Sequence, residues 1–160
     1  MRTQSTPAEP DRSLKFVFDV AGVLLEWNTG ALYDDLFTQT GKDAKVFFSE
    51  VVGSEFQTAI SMGQPMEPLL EELVQKHPEW KTEIAAWNER WDEMLVGAID
   101  GTVSVVSELK ERGYGIYVLG NWGGEEFERA KSRFEFFDLF DDILLSGHCG
   151  ILKPVEEFKA

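Results

Sequence analysis

Hydrophobic residues follow two different spacings along this chain. Phe16-Val17-Phe18, Ile116-Tyr117-Val118-Leu119 and Ile143-Leu144-Leu145 are short apolar runs without helical spacing. Runs of this kind read as strands buried on both faces, as in a parallel sheet. Between the first two runs the period is helical. Leu32, Leu36 and Phe37 recur three to four residues apart until Gly41, which closes a first helix. Val46, Phe47, Val51 and Val52 predict a second helix, and residues 56–62 a third, short one. Met66, Leu69, Leu70 and Leu73 predict a fourth, ended by His77-Pro78, and Ile84, Trp87, Trp91 and Leu95 a fifth. Residues 29–96 therefore read as wholly helical. Asp100 is the expected N-cap of a further helix that stops at Gly113, and another helix follows from Glu125 to Phe134. Residues 147–153 read as a loop, and Pro154 can begin a helix. Short apolar strands alternating with helices indicate an α/β fold around a parallel sheet.

A carboxylate, Asp19, stands where the first apolar run ends, and Gly22 follows closely. In open α/β sheets, ligands gather beyond the carboxyl ends of the strands. The alternative is an aspartate that starts a turn. The chain has 160 residues, 43% of them hydrophobic, enough for one core with one insertion. Its formal charge of −14 argues against nucleic acid and anionic membrane surfaces as partners. A small anionic substrate remains compatible, because a local amide-lined pocket overrides the global field. The lone cysteine, Cys149, excludes an internal disulfide and fits a reducing, cytoplasmic setting. Residues 1–13, with Pro7 and Pro10, read as a flexible tail, and no apolar run is long enough to span a bilayer. His77 and His148 lie far apart, so neither they nor Cys149 suggest a zinc site. Trp87 and Trp91 fit the core of the helical segment.

Four stretches in order carry a resemblance: Phe16-Val17-Phe18-Asp19-Val20-Ala21-Gly22-Val23-Leu24, Val118-Leu119-Gly120-Asn121-Trp122, Ser146-Gly147 and Leu152-Lys153-Pro154. Together they resemble the haloacid-dehalogenase-like (HAD) hydrolases that carry a helical cap inserted after the first strand. The resemblance implies a Rossmann-like parallel sheet lacking its C-terminal strands, with an all-helical cap. The core is expected at residues 14–26 and 97–160, and the cap at 27–96. It implies that Asp19 attacks phosphorus in a small phosphate monoester, or carbon in a haloacid, and forms a covalent intermediate. Lys153 is implied as the cation beside that carboxylate. Gly120, Asn121 and Trp122 are implied to bind substrate, and Mg²⁺ to sit between the Asp19 carboxylate and the Ala21 carbonyl.

Three positions depart from the family pattern. Ala21 stands where the phosphatase branch carries a second Asp as general acid and base, a role worth about a hundredfold or more in rate. Gly120 stands where the family has Ser or Thr. The family continues past Lys153 to a fourth strand with an acidic pair, and Glu156 and Glu157 come too early to be that pair. Without those carboxylates present activity is in question, and a non-catalytic binding or interaction module is the alternative. Without that strand, residues 16–20 form a sheet edge, where a partner strand or a second copy is expected to pair.

Overall fold

The computed structural model describes residues 13–154. Strand β1 (Lys15–Phe18) enters a tight turn and continues into β2 (Leu25–Trp27). A helical segment follows: α1 (Gly30–Thr40), α2 (Ala44–Val46) running into a π-helical turn at Phe47–Val51, α3 (Ser54–Ser61), α4 (Met66–Lys76), α5 (Lys81–Glu89) and α6 (Trp91–Met94). Strand β3 (Leu95–Ala98) returns the chain to α7 (Asp100–Glu111), β4 (Gly115–Gly120), α8 (Gly124–Lys131), β5 (Asp142–Leu145) and α9 (Ser146–Cys149). The main sheet is parallel, in the order β1-β4-β5. The strand containing Ile116 is thus central, and β1 forms one edge among the described residues.

The helical segment is not helical to its end. Leu95 continues the helical spacing of Ile84, Trp87 and Trp91, yet it opens β3, which pairs antiparallel with β2. The resulting two-stranded ribbon joins the helical segment to the sheet. Arg90 breaks the expected fifth helix into α5 and α6. The N-cap of α7 is Ile99 rather than Asp100, and the expected loop after β5 holds the short α9.

The expectation that the apolar strands are buried on both faces is also corrected. Ile116 and Val118 of β4 are buried, with Phe16 and Phe18 of β1 packed beside them. Phe18 meets Phe140 edge-on at 5.9 Å. On the opposite face Val17 is 59% and Leu144 47% exposed. An apolar run shows which residues avoid water but not which face a neighbouring element covers.

The helical segment has its own aromatic core. Tyr33, Phe37 and Phe47 are buried and within 5.5 Å of one another, ring centre to ring centre. The segment docks on the sheet domain through side chains and, at one seam, through close backbone contact. Ser146 is buried at the start of α9 and donates its hydroxyl to the Ser61 carbonyl. Gly63 has φ +85° and lies against the Gly147 backbone, so closely that a Cβ would collide with the Gly147 carbonyl. Gly63→Ala should therefore lower stability by about 1–2 kcal/mol from the left-handed backbone alone, and the collision adds to that. Thermal unfolding should show a drop of roughly 4–8 °C. An unchanged melting temperature would mean that this seam is not closed in solution.

Candidate active site

The site is assembled where β1 and β4 end. After β1 the chain turns at once: the Val20 carbonyl accepts from the amides of Leu24 and Leu25, each at 2.9 Å, and Gly22 takes φ +75°. That turn holds Asp19 at the rim of the sheet with its side chain 46% exposed. Its Oδ1 accepts from the Val20 amide at 2.7 Å, and its Oδ2 accepts from Lys153 Nζ at 2.8 Å. Lys153 Nζ also donates to the Leu119 carbonyl at the end of β4, at 2.7 Å. An ammonium has three N–H donors, so one remains for an incoming anion.

Asn121 fixes the lysine in place. Its Nδ2 donates to the Lys153 carbonyl at 2.9 Å, and its Oδ1 accepts from the Lys153 amide at 2.8 Å. The side chain expected to hold substrate oxygens is thus engaged with the backbone of Lys153, with one N–H left over. Gly120 lies under Asp19: a Cβ there would stand 3.6 Å from Asp19 Oδ1 and 3.0 Å from Val20 Cγ2. Trp122 packs at 6.2–6.3 Å from Trp27 and Trp91.

A cavity of about 130 Å³, reached by Asn121, lies between the helical segment and the sheet. Trp27, Trp87, Trp91, Trp122, Asn121 and Glu126 are among the residues lining it. Glu126 is only 5% exposed. Desolvation pushes its carboxyl pKa up, Glu125 adds to the rise, and its own backbone amide and Arg129 oppose it. Acids at the start of α8 suit the helix dipole, but burial sets Glu126 apart. A signal was available: Glu126 stands four residues before Ala130, so it shares the buried helix face. A raised pKa means that the folded protein disfavours the carboxylate. The resulting loss of stability begins as pH rises through the unfolded value, near 4.5, and is complete above the folded one. Glu126→Gln should melt higher than the parent at pH 7, and the gain should vanish at pH 3. A gain independent of pH would exclude desolvation as its cause.

A family model described as haloacid dehalogenase-like hydrolase matches residues 16–158. The chain belongs to the haloacid dehalogenase-like hydrolases. No curated protein sequence matches significantly. Among solved structures, the HAD family enzyme bt-2542 of Bacteroides thetaiotaomicron superposes with a TM-score of 0.69 at 16% identity, over 91% of this chain and 74% of that one. A predicted HAD-like family hydrolase from Porphyromonas gingivalis gives 0.64 at 17% identity, over 91% and 72%. The Bacteroides enzyme is also solved in complex with magnesium and inorganic phosphate, with a TM-score of 0.61 at 15% identity over 90% and 74%. At such identities these likenesses speak for the HAD fold alone.

Asp19 and the Ala21 carbonyl offer two oxygens. Among the described residues no group of three His, Cys, Asp or Glu side chains is placed to hold a metal ion. Magnesium requires near-octahedral oxygen ligation, so these donors do not make a dedicated site. Glu156 and Glu157 lie outside the described residues, as do residues 1–12 of the expected tail. No helix among the described residues is long and apolar enough to cross a membrane.

Proposed function

We propose that this HAD-like chain takes a phosphoryl group from a small phosphate monoester onto Asp19, the first half of a hydrolytic cycle. The observation that carries this reading is the 2.8 Å contact between Asp19 and Lys153, held at the strand ends from 134 residues apart. The Asp19 carboxylate attacks phosphorus and the ester P–O bond breaks. The remaining N–H of Lys153 faces the charge on the phosphoryl oxygens, the electrostatic help that phosphoryl transfer needs most. The leaving alkoxide takes its proton from water, since Ala21 has none to give. Water then cleaves the aspartyl phosphate, releasing inorganic phosphate and restoring the carboxylate. No general base for that second half is identified, so the intermediate should persist. Mass spectrometry after incubation with p-nitrophenyl phosphate should show one phosphoryl group on the peptide containing Asp19. Label on another residue, or none while phenolate is released, would overturn the reading.

A second reading rests on Ala21. A position that carries a general acid in phosphatases here carries a methyl group. On that reading the Asp19–Lys153 pair binds an anion without turnover, and the same experiment shows neither label nor phenolate.

A further inference from the structure

The cavity that Asn121 lines has a chemistry of its own. Four tryptophans, Trp27, Trp87, Trp91 and Trp122, line it, and Glu126 supplies a carboxylate. Among the described residues no Lys or Arg contributes to its wall, although Arg129 lies near enough to favour the Glu126 carboxylate. Tryptophan presents the most electron-rich ring face for attracting a cation. A carboxylate withdrawn from water is costly unless it meets a positive charge. Arg129 already exploits the same attraction: its guanidinium carbon lies 4.8 Å from the centre of the Trp91 ring. The guanidinium is drawn outward by Asp92 at 3.3 Å and by Asn88 at 3.0 Å. Trp27, Trp91 and Trp122 brace one another at 5.2–6.3 Å, so their rings are preorganised and little side-chain entropy is lost on binding. The volume of about 130 Å³ admits several waters or one small alkylammonium head.

We infer that this cavity is a subsite for an organic cation, an alkyl- or trimethylammonium group. Asn121 lines the cavity and also grips the Lys153 backbone, so the cation site adjoins the anion site. This deepens the phosphoryl-transfer reading, and its substrate half rests on it: the substrate class becomes the phosphate ester of an amino alcohol, with phosphate at Asp19–Lys153 and ammonium among the tryptophans. The opposite charges of the two ends fix the direction in which such a molecule enters.

The test uses choline and its uncharged isostere, 3,3-dimethyl-1-butanol, titrated against the full chain at constant ionic strength and followed by tryptophan fluorescence. Choline should bind saturably and about tenfold or more tighter than the alcohol, the worth of a partly desolvated cation–π contact plus a carboxylate. Glu126→Gln should bring the two affinities close together without weakening the alcohol. Equal affinities in the parent chain, no saturable choline binding, or an unchanged ratio in Glu126→Gln would each overturn the proposal. The comparison within the parent chain requires no variant to fold. Choline binding without phosphoryl transfer would leave the cation site standing and remove the catalytic reading. Transfer without choline preference would do the reverse.

Discussion

Asp19→Asn should reduce release of p-nitrophenolate from p-nitrophenyl phosphate by about a thousandfold or more, and Lys153→Ala by about a hundredfold. The two losses have different causes. An amide is a far weaker nucleophile than a carboxylate, so Asp19→Asn removes the bond-forming atom itself. Lys153→Ala leaves that atom in place and removes the cation that opposes charge build-up. Neither change should unfold the protein. The Asp19 and Lys153 side chains are 46% and 25% exposed, and a pair so open to solvent contributes about 1 kcal/mol at most. Melting curves of both variants should therefore overlay the parent within a few degrees. A lost rate with a retained melting temperature separates chemistry from folding. An Asp19→Asn preparation that retains the parent rate would show that the activity comes from another protein in the sample.

The pair at the strand ends was legible because a strand-terminal carboxylate, a Gly-Asn-Trp stretch and Lys-Pro stand in a family order. The resemblance brought Asp19 and Lys153 together across most of the chain, which spacing alone could not do. The ribbon of β2 and β3 was not legible, for a local reason. At three and four residues the strands are too short for a period of two to show, and Leu95 keeps the helical spacing of the residues before it. Val17 was misplaced because an apolar strand residue reads the same whether a helix covers its face or not. Asn121 has the right address but its oxygen accepts from the Lys153 backbone, a partner that only the folded loop brings near. Trp87 and Trp91 are core residues, as their spacing implied, at 3% and 1% exposure. That they also wall a cavity with Glu126 depends on how four separate segments meet, and no local pattern encodes that.

The largest effect on stability is expected away from the site, at Lys42→Met. Glu83 in α5 is fully buried and pairs with Lys42 Nζ at 2.7 Å. Lys42 also donates to the Glu79 carbonyl and lies 5.0 Å from the centre of the Trp80 ring. Glu83 Oε1 has no hydrogen-bond partner, so Lys42 carries the compensation of that charge among the described residues. The nearby Tyr33 hydroxyl donates instead to the Glu83 main-chain carbonyl at 2.9 Å, and burial pushes the Tyr33 pKa up. Removing the lysine strands a carboxylate in an aromatic core. Breaking a buried pair from one side costs about 3 kcal/mol, the low end of the range because Lys42 is itself 31% exposed. Replacing both partners, as Lys42→Met with Glu83→Gln or Glu83→Leu, removes the stranded charge and should recover most of the loss. Denaturant unfolding of the two singles and the double gives the coupling directly. A Lys42→Met variant as stable as the parent would mean that water reaches Glu83 in solution and that the helical segment is more open than its packing indicates.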